Sequence, residues 1–332
     1  MKTSFNKLIN IFNRLRYLII AARDHDNLIK YNNFLLDDQK KIISRNNFLL
    51  SDQKKIQDIY DRLASDCQKC ILDTEKALRG ASLIYRRDDH HSQEKFKSLA
   101  HILKPFKVTS FPKIRMGRRG DGGYVMLDDF SKSSVAISCG IGGDVSWDLD
   151  IAKLGIKVLQ YDHSIEHLPD QHLNFQFFQK KIADYDSNES ITIPTILKKY
   201  GAESNYNILK MDIEGAEWDI LDKLPNECLN KFSQVVIELH DFEEFYNKDW
   251  YERAKRVLEK LSSMFKVVHV HGANTGRLAV FSNLPFPTVI EITWANKSIY
   301  KFEESDEIFP TELDAPTDPN FADIFLGNFR FK

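Results

Sequence analysis

The chain has 332 residues, of which 42% are apolar and 28% charged, and its formal net charge is -2. This length suffices for one large α/β domain with an appendage, or for two ordinary domains. The balanced charge does not favour a nucleic-acid partner, because nucleic acids attract strongly basic proteins. Four scattered cysteines are too few for a disulfide scaffold, which favours a reducing, cytoplasmic location.

The N-terminal segment, residues 1–24, carries early lysines and apolar residues, and its longest unbroken apolar stretch is YLIIAA. That stretch is too short to span a bilayer and is a poor secretory core. Apolar residues recur three and four positions apart from Phe5 to Ile19, which predicts an amphipathic basic helix. We expect this helix to pack against the rest of the protein, with peripheral membrane contact as the second interpretation.

An internal repeat comes next: NNFLLDDQKKII at 32–43 returns as NNFLLSDQKKIQ at 46–57. The offset, 46 minus 32, is 14 residues, or two heptads, so the repeat keeps a helical seam in phase. No glycine or proline precedes Gly80. We therefore predict a helical, coiled-coil region over residues 1–80 that joins copies of the chain into a homo-oligomer. The alternative is a long helix whose apolar stripe lies on its own globular domain.

The helical region also contains CQKC at 67–70, a spacing that suits zinc or a redox pair. A structural zinc site needs four ligands, and no second CxxC or spaced histidine pair completes the set. Reduced helical cysteines are the favoured interpretation.

A connector at 81–112 separates this region from a different pattern. From residue 113 to the C-terminus at 332, short β-branched runs alternate with helix-length segments. This alternation predicts an α/β fold with a doubly wound, mostly parallel sheet and helices on both faces. The runs LAVFSN (278–283) and VIEITWAN (289–296) are joined by a proline-rich loop. We therefore expect an antiparallel edge in the final part of the sheet.

The ends of the first two predicted strands suit an adenosine-containing cofactor, because ligands of doubly wound sheets bind beyond the carboxyl ends of the strands. In SCGIGGDVSWD (138–148), Gly140 and Gly142 permit a tight turn and a close approach to a ligand. Asp162 ends the second strand, where an acid can accept hydrogen bonds from ribose hydroxyls. NAD and S-adenosylmethionine both fit this pattern. Val145 stands where the third glycine of a dinucleotide fingerprint belongs, which argues against NAD.

The run KMDIEGAEWDIL (210–221) places several acids behind a buried strand. Strand alternation puts Asp212 and Glu214 on one face, and Gly215 then turns the chain into a helix that starts near Glu217. Acids in a first helical turn suit the helix dipole. Asp212 and Glu214 are harder to explain without a ligand.

This run resembles the signature of the FkbM-type class I S-adenosylmethionine-dependent methyltransferases. Four more segments resemble the branch of that family with a DGGY segment: GRRGDGGYVM (117–126), SCGIGGDVSWD (138–148), YDHSI (161–165) and VIEITWAN (289–296). The likeness covers about residues 112–300. It implies a class I, Rossmann-like methyltransferase domain, S-adenosylmethionine as cofactor, O-methylation, and a sugar or glycan acceptor.

The resemblance also implies roles for residues at matching positions. Those expected to contact the cofactor are Gly140, Gly142, Asp144, Asp162, Asp184, Asp121 and Tyr124. Asp162 is expected at the ribose and Asp184 at the adenine amino group, with Asp212 beside the transferred methyl group. Those assigned to the acceptor side are Glu214, Glu217 and Arg118. Glu217 is alternatively structural at the helix start, and the double glycine of DGGY is alternatively an ordinary turn.

Methyl transfer to an alcohol requires alignment of two atoms and removal of a proton from the acceptor, a task that suits histidine. His240 follows a predicted strand and is the first candidate for the base, and His271 is the second. His269 could also reach the site, although a satisfied core histidine is the competing interpretation. Alternatively, a divalent cation that lowers the pKa of the acceptor would bind Asp212, Glu238, His240 and His271.

Together these features predict a cytoplasmic S-adenosylmethionine-dependent O-methyltransferase that acts on a carbohydrate or sugar-linked acceptor. Two alternatives remain from the residues alone. One is an NAD-dependent oxidoreductase of a sugar-type substrate. The other is a coiled-coil scaffold whose methyltransferase-like domain only binds a ligand.

Overall fold

The computed structural model describes residues 62–65, 67, 84–86, 90–200, 204–281 and 284–331. The chain divides into two compact units, residues 1–81 and 82–332. In the first unit, residues 62–65 and 67 are helical. The rest of the predicted helical region, its repeat and Cys70 lie outside the described residues. Within the described part of the chain, no helix has the length and apolar character needed to cross a membrane.

The second unit alternates strands and helices along the chain. The strands are β1 (Ile84–Arg86), β2 (Phe106–Lys107), β3 (Lys113–Met116), β4 (Tyr124–Leu127), β5 (Val135–Cys139), β6 (Lys157–Tyr161), β7 (Phe175–Phe178), β8 (Lys181–Ile182), β9 (Ser190–Ile191), β10 (Asn207–Met211), β11 (Phe232–Leu239), β12 (Phe265–Gly272), β13 (Leu278–Phe281), β14 (Leu284–Pro287), β15 (Ile290–Asn296) and β16 (Glu303–Glu304). The helices are α1 (His90–Ile102), α2 (Ser146–Lys153), α3 (Ile193–Lys199), α4 (Glu217–Lys223), α5 (Asn226–Leu229) and α6 (Lys248–Met264), with a 3-10 helix at Phe242–Tyr246.

A seven-stranded sheet forms the centre of this unit, in the order β12-β15-β11-β10-β5-β6-β7. Strands β5, β6, β7, β10 and β11 pair in parallel, and β15 is antiparallel to both of its neighbours. This is the predicted class I methyltransferase-like fold, a mostly parallel sheet with an antiparallel final strand.

The position of that antiparallel strand differs from the expectation. Helix α6 carries the chain past the neighbouring position, so β12 takes the sheet edge and β15 returns between β11 and β12. The strand predicted from LAVFSN is also misplaced. Leu278–Phe281 form β13 in a separate three-stranded sheet with β1 and β14.

The two faces of the central sheet are covered differently. All residues of β10 and β11 are buried, as expected for parallel strands with both faces covered. On one face, helices α1, α3, α4 and α6 contribute to one continuous apolar core. On the other face, α2 and the β3–β4 hairpin pack against the sheet. This second face also carries the polar residues of the candidate site.

Helix α6 shows how the sequence specifies one of these layers. Its buried residues recur three and four positions apart, from Trp250 to Leu261, and form one apolar stripe. The side chain of Asn247 caps its first turn by accepting hydrogen bonds from two backbone N–H groups. Lys260 donates to three carbonyls at the end of α4, each at 2.8 Å. These contacts fix α4, which follows the KMDIEG run.

Candidate active site

A cavity of about 450 Å³ opens at the carboxyl ends of β5, β6 and β10. This volume lies in the range of small-molecule and cofactor sites. Its lining includes the glycine turn after β5, the residues after β6, the residues after β10 and part of the 117–123 loop. Of the residues predicted to bind cofactor or acceptor, those that line it are Gly140, Gly142, Asp144, Asp162, Asp121, Asp212, Glu214 and Arg118.

Asp162 holds the glycine turn in place. Its Oδ2 accepts hydrogen bonds from the backbone N–H groups of Ile141, at 2.8 Å, and Gly142, at 2.9 Å. Its Oδ1 accepts from the N–H and the hydroxyl of Ser164, at 2.7 and 2.6 Å. Burial alone would raise the pKa of this carboxyl, but the four hydrogen bonds outweigh it and lower the pKa below its ordinary value. Asp162 is therefore a charged anchor between the ends of β5 and β6.

The glycines of the turn have distinct roles. Gly140 adopts φ +77, and a Cβ there would lie 1.6 Å from the carbonyl oxygen of Asp212. A side chain is therefore excluded, and the turn packs directly on the end of β10. At Gly142, with φ +56, an added Cβ would meet nothing within 4 Å. The absence of a side chain at Gly142 therefore leaves open space beside the cavity.

The 117–123 loop, from the GRRGDGGY segment, borders the same cavity. Arg118 Nη1 lies 3.3 Å from Oδ2 of Asp144, which follows the glycine turn. Gly122 packs so closely on Asp144 that an added Cβ would lie 2.6 Å from Oδ1. The loop therefore contacts the glycine turn, and its DGG residues are more than an isolated turn.

Two residues assigned to the cofactor lie elsewhere. Asp184 follows the short strand β8 and forms an ion pair with Lys223 of α4. The hydrogen bond from Lys223 lowers the pKa of this exposed carboxyl. The chain turns away at β8, so Ile182 lines the cavity and Asp184 is not part of its lining. Tyr124 is buried in β4, where its hydroxyl lies 3.3 Å from Oδ2 of Asp212.

Glu217 is a buried partner of His240. Its side chain is fully buried, and Oε1 accepts a 2.7 Å hydrogen bond from the N–H of Ile213. The same oxygen lies 3.3 Å from Nδ1 of His240. Glu217 does not line the cavity and lies behind the imidazole, which favours its structural alternative over contact with the acceptor. Trp218 fixes the same position, because its Nε1 donates to the carbonyl of His240 at 2.8 Å.

The other nitrogen of His240, Nε2, faces carboxylates. It lies 3.8 Å from Oε2 of Glu214 and 3.8 Å from Oε1 of Glu238. Burial opposes the charged imidazolium, but the adjacent carboxylate of Glu217, with the charges of Glu238 and Asp212, raises the pKa of His240 to about 10. This pKa favours the doubly protonated imidazolium at neutral pH.

Asp212, Glu238 and His240 form one cluster at the ends of β10 and β11. One oxygen or nitrogen from each residue lies within 4.8 Å of the others. Glu238 is buried and receives no hydrogen bond from any described residue. Burial and the negative charges of Asp212 and Glu291 raise its pKa well above the ordinary range.

His271 does not join this cluster. Its Nδ1 lies 2.9 Å from Oε2 of Glu291, and its Nε2 lies 2.9 Å from Oδ1 of Asp323. Burial opposes its charged form, but the charge of Glu291 and these two contacts raise the pKa of His271 to about 10. Glu291 stands on β15, between the strands of Glu238 and His271. The strand inserted inside the sheet thus separates His271 from the other three predicted cation ligands.

His269, two residues before His271 on β12, is a buried residue with an internal partner. Its Nε2 lies 2.8 Å from Oδ1 of Asp314. Burial outweighs this carboxylate and lowers the pKa of His269. The core interpretation of His269 is therefore favoured.

Comparison with known proteins identifies the domain around this cavity. Residues 130–266 match the model of the methyltransferase FkbM domain. This chain carries an FkbM methyltransferase domain. It is therefore an S-adenosylmethionine-dependent methyltransferase, as the motif pattern predicted. No curated protein sequence matches the chain.

Solved structures resemble this chain only distantly. A fibrillarin/Nop5p complex aligns over 51% of this chain and 74% of that chain, with 15% identity and a TM-score of 0.32. A SAM-dependent methyltransferase from Agrobacterium tumefaciens aligns over 50% and 57%, with 12% identity and a TM-score of 0.27. A point mutant of the 16S rRNA (adenine(1408)-N(1))-methyltransferase from Catenulisporales acidiphilia aligns over 58% and 100%, with 10% identity and a TM-score of 0.27. Likenesses at this level indicate nothing about the acceptor.

The cavity of the FkbM domain fits S-adenosylmethionine, a molecule with charged groups of both signs. Its lining holds carboxylates and also four cationic side chains, those of Arg118, Lys180, Lys181 and Lys210. Lys210 is a site residue that the sequence pattern did not single out. It donates to the carbonyl of Gly140 and lies 4.0 Å from Oδ2 of Asp212. A lysine after two apolar residues of a buried strand, two positions before Asp212, was the available signal.

Proposed function

We propose that this methyltransferase transfers the methyl group of S-adenosylmethionine to a hydroxyl oxygen of a carbohydrate or sugar-linked acceptor. The observation that carries the proposal is the Asp212–Glu238–His240 cluster beside the cavity. An alcohol acceptor must lose a proton as the methyl group arrives, and a carboxylate–imidazole cluster can take that proton. The family resemblance to enzymes with sugar or glycan acceptors supports the acceptor class.

The cavity residues have defined roles in this proposal. Asp162 fixes the turn that holds Gly140 and Gly142, and it is the proposed ribose partner. Arg118, Asp121 and Asp144 border the cavity from the side of the loop. When bound there, S-adenosylmethionine supplies an electrophilic methyl group on a sulfonium. Asp212 lies between the cavity and the proton-accepting cluster, so it is the residue proposed to lie beside that methyl group.

His240 is the proposed proton acceptor. Glu217 lies at Nδ1 and sets the ring orientation, which leaves Nε2 directed toward Glu214 and Glu238. This resembles the general arrangement in which a carboxylate orients a histidine base. The neutral imidazole must first form by loss of a proton. A positive charge in the adjoining cavity favours that loss, because it opposes the carboxylates that stabilise the imidazolium.

The unused hydrogen-bonding capacity of Glu238 supports a polyhydroxyl substrate. A carboxylate accepts hydrogen bonds and a protonated carboxyl can also donate one, and a sugar ring offers adjacent hydroxyl groups that can do both. Among the described residues, Glu238 receives no such donor, although its side chain is only 9% exposed. A hydroxyl group next to the methylated oxygen would satisfy it.

The direct test is mass spectrometry on glycans and sugar nucleotides from the source organism, incubated with enzyme and methyl donor. We expect the mass gain of one methyl group on a sugar-containing product, and transfer from isotope-labelled donor. The matched control is the Asp170→Asn variant, which alters an exposed carboxylate outside the cavity lining and should retain transfer. Enzyme that binds the cofactor but methylates nothing in the extract would support the scaffold alternative and contradict the proposal.

The cluster also offers a second route for the acceptor proton, in which a divalent cation binds Asp212, Glu238 and His240. The convergence of these three donors is the observation that favours it. His271, the fourth predicted ligand, is bound to Glu291 and Asp323 instead.

We expect methyl transfer to continue after exhaustive dialysis against EDTA, because His240 already has an orienting partner in Glu217. Turnover before and after dialysis, and again after addition of Mn²⁺, measures this. Manganese is the chosen probe because it accepts both carboxylate and imidazole ligands. Loss of turnover on dialysis, with recovery in Mn²⁺, would show that the cluster binds a cation that methyl transfer requires.

A further inference from the structure

The C-terminal strap, residues 305–323, runs irregularly across one end of the second unit. Buried side chains of β12 and the residues after it hold the strap. Asp314 contacts His269 at 2.8 Å, and Asp323 contacts His271 at 2.9 Å. Asn274 donates to the carbonyl of Asp318 at 2.9 Å. The strap is therefore fastened at three points along its length.

Asp314 is the central fastening. Its side chain is buried, and besides His269 it accepts hydrogen bonds from the N–H and hydroxyl of Thr311, at 2.6 and 2.9 Å. Burial opposes its charge, but His269 and these bonds lower the pKa of Asp314 to about 2. Fixing the side chain also fixes the main chain, so the carbonyl groups of Leu313 and Asp314 have defined directions.

Two arginines donate to those carbonyl groups, Arg115 just before the 117–123 loop and Arg119 within it. Arg119 Nη2 donates to the carbonyl of Asp314 at 2.9 Å, and Arg115 Nη1 donates to that of Leu313 at 3.3 Å. Arg115 also donates to the loop carbonyls of Gly120 and Arg118, each at 2.7 Å. One guanidinium therefore joins the strap to the loop.

The loop held in this way forms part of the cofactor cavity, through Arg118, Asp121 and Gly122. Both the loop and the strap lie outside the matched range 130–266. We propose that the C-terminal strap is a built-in component of the cofactor site, in which Asp314 is a positioning residue that holds the 117–123 loop through Arg115 and Arg119. The inference rests on the proposed function only in taking this cavity as the site of S-adenosylmethionine.

Side chains of α2 hold only the start of the loop, where Asp150 accepts from the N–H of Gly117 and Ser146 accepts from that of Arg118, each at 2.9 Å. The Arg118 guanidinium contacts Asp144 and the carbonyl of Asp121, and its side chain is 55% exposed. A loop freed from the strap would have to be ordered again when the ligand binds. The binding free energy would then be reduced by the cost of that ordering.

The test compares the full chain with Asp314→Ala, Arg119→Ala and the double variant, using isothermal titration with S-adenosylhomocysteine as the probe. Arg119 is exposed and not part of the cavity lining, so its removal leaves the core intact. The matched control is Asp318→Ala, another strap carboxylate, whose side chain accepts only from Asn320 among the described residues. Hydrogen exchange of residues 117–123 provides a readout of loop order.

We expect Asp314→Ala to weaken binding about 10-fold and Arg119→Ala about 3-fold, with faster exchange in the loop and no change for Asp318→Ala. The double variant should bind no more weakly than Asp314→Ala, since both changes interrupt one connection. Normal affinity and normal loop exchange in Arg119→Ala would overturn the inference, even if Asp314→Ala fails to fold. A wild-type chain that binds no S-adenosylhomocysteine would instead overturn the cofactor assignment.

Discussion

Replacing Asp162 by alanine is expected to weaken S-adenosylmethionine binding by at least about 100-fold. The carboxylate receives four hydrogen bonds, two of them from the backbone of the glycine turn. Without it, the N–H groups of Ile141 and Gly142 lose their partner close to the cavity. Unpaired buried donors of this kind cost about 1–3 kcal/mol each. The variant should therefore lose the turn geometry, and with it cofactor affinity and about 2–4 kcal/mol in the free energy of unfolding.

Titration calorimetry with the cofactor and urea unfolding measure the two effects of this change. Asp170→Ala is the matched control, because Asp170 is an exposed carboxylate in the loop that follows the same strand. It should change neither quantity appreciably. Unchanged cofactor affinity in folded Asp162→Ala would show that the glycine turn does not depend on this carboxylate and that the ribose assignment is wrong.

Because Asp162 is charged, the stability that it contributes depends on pH. Hydrogen bonds lower its pKa in the folded state, so its contribution to stability is complete above the unfolded pKa, about 3.9. That contribution is lost as the pH falls through the lower, folded-state pKa. The stability difference between wild type and Asp162→Asn should therefore be constant from about pH 7 to pH 5 and decrease at more acidic pH. A constant difference throughout would mean that the ionised form has no special role.

The sequence predicted those parts of the site that depend on neighbours in the chain. Gly140, Gly142 and Asp162 follow their strands directly, and parallel strands bring their carboxyl ends to one edge of the sheet. Their placement at the cavity needed only the strand assignments. Asp212 and Glu214 were predicted to line it for the same reason.

The residues that were misplaced depend on contacts between distant segments. His271 is separated from the cluster because β15 inserts beside β11. The hydrophobic pattern of β15 does not indicate which strands it pairs with. Asp184 is turned outward by β8 and paired with Lys223 of a later helix. Glu217 was assigned to the acceptor side or, alternatively, to the helix start, and only the end of β11 places an imidazole against it.

The C-terminal strap makes contacts that the sequence pattern could not predict. Asp314 and Asp323 lie in an irregular segment without a periodic pattern, so the sequence gives no reason to join them to β12. Their partners are histidines that looked like candidate bases or ligands. A buried histidine next to a strand end is thus ambiguous until its carboxylate partner is known.

Replacing His240 by alanine is expected to lower turnover about 10²–10⁴-fold, the usual contribution of a general base. Binding of S-adenosylhomocysteine should remain within about 2-fold of wild type, because His240 does not line the cavity. His240→Gln is the conservative comparison, since it retains a hydrogen-bonding group without a titratable nitrogen. Full turnover in either variant would show that another group accepts the proton. Absence of turnover in the wild-type protein would favour the scaffold alternative.

The pH dependence of turnover separates a base from a residue that only supports the fold. The pKa of His240 is raised to about 10, because the effect of burial is outweighed by Glu217, Glu238 and Asp212. Turnover should therefore rise with pH as the imidazolium loses its proton. Glu217→Gln removes one of the charges that stabilise the imidazolium but keeps an oxygen for the N–H of Ile213, so it should move this rise to lower pH. Nuclear magnetic resonance of labelled histidine should show the same downward change in the pKa of His240. An identical pH profile in Glu217→Gln would mean that His240 is not the group whose protonation limits methyl transfer.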